Sequence, residues 1–357
     1  IGAIDVPKDA RRMHKKPIPR LGGLAIYISF VIVSLVLGQW NMQNFTILIG
    51  SAIIVVLGIF DDRNALSAKF KFGIQLIAAA IPVVFGNLRI ELITNPNLFS
   101  GELYVKFGAL AIPITIIWIV AITNAVNLID GLDGLAVGVS AIACMTMLAV
   151  SLLIGEVPIA ILLAVLAGAC VGFMPFNLNP ASIFMGDTGS TFLGFMLATL
   201  SIQGMFKVYA IISFAVPFLI LGLPIFDTAF AFTRRILSGR SPFSPDRGHV
   251  HHRLIDMGFN QKQTVAILYI ISTVLGLLAV VLTTSGEYRA IVMVLVVLIT
   301  CVVGGGIYLS AERRKMKLHE QKLHELNQQE NEQQKIAEQT QDADDTSDRG
   351  GFDNEDN

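Results

Sequence analysis

Charge is the first thing this chain is short of. Only 15% of its 357 residues are Asp, Glu, Lys or Arg, against about 25% in an ordinary soluble domain. With 54% hydrophobic residues and a mean hydropathy of +0.65, that shortage excludes a water-soluble globular class and points to the lipid bilayer as solvent. Cysteine is scarce too. Cys144, Cys170 and Cys301 sit far apart, each inside an apolar run, so they read as buried structural thiols rather than a disulfide framework or a metal centre. A cleavable signal pattern is missing, and no internal repeat is evident. Because the chain starts at Ile1 rather than Met, further sequence is expected upstream of it.

What charge there is lies unevenly. From Ser310 onward there are seven Lys/Arg against thirteen Asp/Glu. The formal net charge of −1 therefore divides into a body near +5 and a tail near −6. We expect residues 1–310 to form a transmembrane domain. Residues 311–357, rich in Gln, Glu and then Asp, should be a largely disordered cytoplasmic tail.

About 20 apolar residues are needed to cross a bilayer as a helix. Ten stretches qualify, near 21–40, 44–60, 70–86, 107–123, 134–154, 157–175, 189–204, 207–224, 264–284 and 288–309. The expected fold is all-α and polytopic. A small β-hairpin is expected in the outer loop 87–104, where alternation surrounds Asn95-Pro96-Asn97. Threading ten spans puts 22 of the 26 Lys/Arg on one side, which the positive-inside rule makes the cytoplasm. Every aspartate before the tail falls on that same side. Acids so segregated in an apolar protein mark a site.

Four segments carry the chemistry. Asp61 and Asp62 close a hydrophobic span, and adjacent carboxylates near lipid demand a cation or a shared proton. Asn124, Asn127, Asp130 and Asp133 recur every three residues, with Gly131 and Gly134 between them. If that stretch stays helical, all four lie on one drifting face and mix donors with acceptors, as a metal-bound phosphate requires. Helix capping is the plainer alternative, though one such residue would suffice for it. Asp187 lies in Met185-Gly-Asp-Thr-Gly189, where it is either a helix cap or a ligand of Mg²⁺, a hard cation that takes one or two carboxylates plus substrate phosphates. The loop is not a Walker A sequence, since the Gly-Lys-Ser/Thr ending is absent. Finally, Arg247, His249, His251, His252 and Arg253 crowd one short segment. They offer donors to diphosphate oxygens. Zinc is a weaker reading, because no Cys or Glu stands at the usual spacing. The basic run from Arg11 to Arg20 serves either topology or attraction of an anionic substrate.

Together these segments resemble the polyprenyl-phosphate N-acetylhexosamine-1-phosphate transferases of glycosyltransferase family 4. The motifs that carry the likeness are Asp61-Asp62, Asn124 through Gly134, Phe184-Met-Gly-Asp-Thr-Gly-Ser190 and Pro245-Asp-Arg-Gly-His-Val-His-His252. The last looks more like the branch that uses UDP-GlcNAc to start teichoic acid or O-antigen synthesis than the branch that uses UDP-MurNAc-pentapeptide. The resemblance implies transfer of GlcNAc-1-phosphate from UDP-GlcNAc to undecaprenyl phosphate with release of UMP. It implies Mg²⁺ or Mn²⁺ as cofactor and a bacterial plasma membrane with the active site on the cytoplasmic face. A homodimer is open, and no nucleic-acid partner is expected. The family usually has eleven spans, one more than counted here.

Carried over by motif, the likeness implies that Asp187 is the main metal ligand with Asp62 near the metal. Asp61 would deprotonate the lipid phosphate, either directly or on the way to a covalent intermediate, and Asp130 joins these two aspartates as catalytic. Asn124, Asn127 and Asn177 would contact substrate. Gly131, Leu132, Asp133 and Phe184 would form the nucleoside pocket, Phe184 stacking on uracil. Lys15, or His14 in its place, would be a basic contact. Arg247, His249, His251 and His252 would meet the diphosphate or sugar. An ion-coupled transporter is the reading from another class, but its acids would lie near mid-bilayer in repeated helices.

Overall fold

The structure is a computed structural model that describes residues 4–5, 17–94, 104–204, 215–239 and 248–284. Lys15, His14, Arg247, Cys301, the span expected at 288–309 and the acidic tail lie outside the described residues.

Eleven α-helices occupy the described chain: α1 (Gly22–Leu37), α2 (Met42–Arg63), α3 (Ala68–Val84), α4 (Ala111–Leu128), α5 (Leu135–Leu153), α6 (Val157–Asn177), α7 (Gly186–Gly204), α8 (Ala215–Ile220), α9 (Gly222–Leu237), α10 (Val250–Asp256) and α11 (Gln261–Thr283). Their starts follow ordinary capping chemistry. The Asn41 side chain accepts from Asn44 N at the head of α2. Ser67 does the same for α3, and Asn260 with Gln263 forms a capping box on α11. Two short strand pairs complete the inventory. Ile4–Asp5 lies antiparallel to Ile18–Pro19, and Leu92–Thr94 lies antiparallel to Tyr104–Lys106. The residues joining the second pair are not described.

Among the described residues five helices are long and apolar enough to cross a membrane: Met42–Arg63, Leu135–Leu153, Val157–Asn177, Gln261–Thr283 and α4 with the 3₁₀ turn before it, Gly108–Leu128. The helix Gly22–Leu37 is apolar but shorter, and the stretches 207–214 and 288–309 lie outside the described residues. The expected single span at 207–224 is interrupted, because α8 stops at Ile220 and α9 begins at Gly222. Helix α9 carries Asp227, Arg234 and Arg235 within one helix length, so one side of it must find polar partners.

The organising element is α7. Every residue from Thr188 to Gly204 is buried, and α1, α2, α4, α5 and α6 all pack on it. Close approach depends on glycine, as is usual where helices lack a hydrophobic drive to associate in lipid. A Cβ placed on Gly194 would stand 2.7 Å from Thr123 Cα of α4. One on Gly50 of α2 would stand 2.7 Å from Phe195 Cζ. Two of the hydroxyls buried on α7 are satisfied within the helix, Thr191 Oγ1 donating to Asp187 O at 2.6 Å and Thr199 Oγ1 to Phe195 O at 2.9 Å. Gln203 donates across to Asn44 Oδ1 of α2 at 2.8 Å. Cys144 and Cys170 are free and buried on α5 and α6.

This packing makes a direct prediction. Gly194→Val should lower the unfolding temperature in detergent, the usual overpacking cost being about 1–3 kcal/mol. Gly73→Ala, where an added Cβ meets nothing within 4 Å, should leave it unchanged. Equal unfolding temperatures for the two variants would show that α4 and α7 do not meet through Gly194.

Candidate active site

One end of α7 is fixed by a carboxylate from another helix. Asp62, in the last turn of α2, accepts from Asp187 N at 2.8 Å through Oδ1, and from Thr188 N at 3.0 Å and Thr188 Oγ1 at 2.6 Å through Oδ2. The first N–H groups of a helix have no partner within it and carry partial positive charge, so this anion caps α7 in trans. Gly186 makes the approach possible. Its φ is +70°, and a Cβ there would lie 2.6 Å from Asp62 Oδ2. The expectation placed Asp62 near a metal, and the structure shows it in a further part, as the cap of α7. Both of its oxygens are committed to α7, and its role in this geometry is to aim Asp187.

Asp61 looks the other way. Its Oδ1 accepts from Leu66 N at 2.8 Å and its Oδ2 from Lys71 Nζ at 2.7 Å. Lys71, on α3, also stands 3.2 Å from Asp187 Oδ2. One ammonium thus bridges the two carboxylates. Asp61 is nearly covered, whereas the Asp187 side chain is 35% exposed. Sequence reasoning used Lys71 only to orient the protein. The available signal was a lysine at the head of a span, ten residues beyond Asp61.

The stretch Asn124–Asp133 does not stay helical as a whole. Helix α4 ends at Leu128, turns follow, and α5 starts after Gly134, whose φ is +80°. The two amides remain on α4 and tie it to its neighbours. Asn124 Nδ2 donates to Gln75 Oε1 of α3 at 2.7 Å, and Asn127 Nδ2 to Ser190 Oγ of α7 at 2.8 Å. The two acids fall in the turn and separate in function. Asp133 Oδ2 accepts from Asn179 Nδ2 at 2.9 Å and Ala181 N at 3.1 Å, which anchors the α6–α7 connection. Asn177 works beside it, accepting from Gly134 N and donating to Ile183 O. Leu132 is buried. Asp130 is the strained member. Burial, and then the negative charges of Asp187 and Asp62, push its carboxyl up to about 8, with Arg20 offsetting part of the effect.

The strip before α7 pairs with the head of α1. Gly22 N donates to Phe184 O at 3.0 Å, Gly23 N to Met185 O at 2.9 Å, and Phe184 N to Pro19 O at 2.9 Å. Backbone bonds on both sides hold the half-buried Phe184 in place.

The histidine segment arrives from α10. A Cβ on Gly131 would lie 2.5 Å from His251 Nε2, so this segment packs directly on the Asp130–Gly131 turn. His249 and His251 are buried and their rings stack at 5.8 Å, while His252 leans on His251 at 4.3 Å. Burial, then the neighbouring His252, holds the His251 imidazole down at about 4, hence neutral near pH 7. The partner of His249 was not foreseen. Asp227 of α9 lies 2.8 Å from its Nδ1.

Four segments that are distant in sequence therefore converge: the end of α2 with Lys71, the α4–α5 turn, the head of α7 and the start of α10. Asn124, bonded toward Gln75, stands one helical turn before Asn127 and ties α4 to α3. Among the described residues no three His, Cys, Asp or Glu side chains gather at metal-ligand spacing.

A family model described as Glycosyl transferase family 4 matches residues 44–205. That range contains the two aspartates of α2, the α4–α5 turn and Asp187, but not the histidine segment. The chain is 43% identical over 300 residues to the probable undecaprenyl-phosphate N-acetylglucosaminyl 1-phosphate transferase of Bacillus subtilis (strain 168), covering 84% of this chain and 82% of that one. It is 35% identical over 310 residues to the decaprenyl-phosphate N-acetylglucosaminephosphotransferase of Mycobacterium tuberculosis (strain ATCC 25618 / H37Rv), covering 76% and 73%. With the undecaprenyl-phosphate alpha-N-acetylglucosaminyl 1-phosphate transferase of Escherichia coli (strain K12) the identity is 27% over 287 residues, covering 78% and 76%.

The charge at Asp130 has a measurable consequence. An aspartate whose carboxyl is raised from 3.8 to about 8 binds a proton more tightly folded than unfolded. It costs the folded state nothing below about pH 4, and the cost grows as pH rises toward 8. In EDTA, the unfolding temperature of the wild type should fall across that interval, and Asp130→Asn should flatten the fall. Parallel pH curves for the two proteins would show that Asp130 is not strained.

Proposed function

The chain belongs to glycosyl transferase family 4, the polyprenyl-phosphate N-acetylhexosamine-1-phosphate transferases, and we propose that it moves GlcNAc-1-phosphate from UDP-GlcNAc to undecaprenyl phosphate. An oxygen of the lipid phosphate attacks the β-phosphorus of the nucleotide sugar. The bond from that phosphorus to the bridging oxygen breaks, and undecaprenyl-diphospho-GlcNAc and UMP result. The protein would act in the bacterial cell membrane from its cytoplasmic face, at the first membrane step of a surface polysaccharide such as the teichoic acid linkage unit. The observation that carries this reading is the Asp61–Lys71–Asp187 bridge at the mouth of α7. It supplies paired carboxylates and a mobile cation where a phosphate from lipid can meet one from water.

The donor set suits a divalent cation. Asp187 and Asp62 add to burial in raising the Asp130 carboxyl, burial and then Asp61 and Asp62 in turn raise Asp187, and the Asp187 side chain is partly exposed. Asp187 would hold Mg²⁺ or Mn²⁺, completed by substrate phosphates as such hard ions prefer. When bound, the ion neutralises the diphosphate and stabilises charge developing in transfer. Asp62 keeps Asp187 aimed. Lys71 is the cation already present, and it can turn toward an incoming phosphate as it leaves the carboxylates. Asp61 takes the proton of the lipid phosphate. Phe184, fixed by its backbone, offers a ring for the uracil, and the α10 histidines offer donors to the diphosphate or sugar.

The reading is tested with purified protein, C55 lipid phosphate and a panel of UDP-sugars. UMP release with UDP-GlcNAc above all others supports it. Preference for UDP-MurNAc-pentapeptide would keep the chemistry and overturn the sugar.

Two variants separate the roles of the aspartates. Asp187→Asn should lose roughly 10²- to 10³-fold in kcat, the scale of a principal electrostatic contact, and regain part of it in excess Mg²⁺ or Mn²⁺. Asp61→Asn should be inactive at every metal concentration. Near-normal turnover of Asp187→Asn at low metal would remove it as the ligand.

A further inference from the structure

The histidine segment is held by a residue that neither sequence pattern nor motif singles out. Asp227 lies on α9, 3% exposed, and spends both carboxylate oxygens on one short piece of chain. Oδ2 stands 2.8 Å from His249 Nδ1, and Oδ1 accepts from Val250 N at 2.7 Å. One contact fixes the ring and the other the backbone that carries it. A buried carboxylate that accepts only needs a proton on the facing nitrogen, so Nδ1 carries the hydrogen and Nε2 is left for a ligand. Two turns further along the same helix, Arg234 Nη1 donates to Gly248 O at 3.1 Å, on the residue just before His249. Residues seven apart share a helix face, so α9 presents two grips to one loop.

The grip reaches beyond His249. His251 stacks on it with an interplanar angle of 7°, and His251 lies against Gly131. The side chain of His251 is 2% exposed, and its Nε2 has no hydrogen-bond partner. A buried imidazole nitrogen without a partner costs free energy, so other contacts must hold His251 beside the Asp130 turn.

We propose that Asp227 is the positioning residue of the histidine segment, setting the ring of His249 and, through the stacked pair, holding His251 against the Asp130–Gly131 turn. The kinetic side of this inference rests on the transferase reading above. Asp227 touches no substrate. It acts through the histidines, as a carboxylate behind an imidazole does in many enzyme sites.

The test uses the full chain in detergent, with UDP-GlcNAc and undecaprenyl phosphate as substrates. Asp227→Asn keeps the shape and an acceptor for Val250 N but cannot accept at both oxygens. It should lower kcat by roughly 10- to 100-fold, the usual scale for a group that orients a functional histidine, with little change in KM for the nucleotide sugar. Asp227→Asn combined with His249→Ala should be no slower than His249→Ala alone, because the carboxylate then has nothing to position. A purely structural carboxylate would instead lower the unfolding temperature and multiply with His249→Ala in kcat. Turnover of Asp227→Asn within about twofold of wild type, a difference of less than about 0.5 kcal/mol, overturns the proposal, and so do multiplying losses. Diethyl pyrocarbonate labelling keeps this separate from the reaction assigned above. Loss of Asp227 should speed modification of His249 and His251 whatever the sugar donor, and an unchanged labelling rate overturns the positioning role even where the wild type proves to use another substrate.

Discussion

The capture of the α7 N-terminus by Asp62 is the contact on which the site depends. A helix buried along nearly its whole length cannot leave its first N–H groups unpaired without cost. The partner has to come from elsewhere in the protein, and it comes as an anion because the helix end is positive. Once Asp62 is committed in this way, Asp187 has one place to go. It emerges beside the cap, at the end of α2 and within reach of Lys71. The geometry of the proposed metal ligand is thus a by-product of solving a helix-end problem.

The same arrangement sets the electrostatics. Four carboxylates are drawn together by caps and turns, while Lys71 and Arg20 are the cations that bear on them among the described residues. In water such crowding would be screened. At the edge of an apolar bundle it is screened less, and at Asp130 burial first and then the charges of Asp187 and Asp62 push the carboxyl up to about 8. A site built this way gathers more negative than positive charge.

Packing explains why the segments meet at one end. Glycines on α2 and α7 remove the side chains that would hold the helices apart, so their backbones run close and their polar ends arrive at the same level. The histidine segment joins from outside this central group, resting on Gly131 and tied down by α9. Two sets of contacts therefore hold the site together, one through α7 and one through Asp227.

Much of this was legible in the linear chain. The bilayer environment follows from scarce charge and long apolar runs. The candidate site is signalled by Asp61-Asp62, the Asn/Asp series and the glycines around Asp187, because carboxylates are costly in such surroundings. Spacing alone misplaced Asp130 and Asp133, since a three-residue period says nothing of the turn after Leu128. It did not show that Asp62 also caps the head of α7. It passed over Lys71 and Asp227, whose partners lie 116 and 22 residues away in sequence. Residue type and local pattern determine which groups a chain can offer, because those depend on chemistry and short-range geometry. Which carboxylate caps, which bridges and which orients a histidine was decided only when the helices packed, because a lone pair is assigned by whichever donor the fold brings to it.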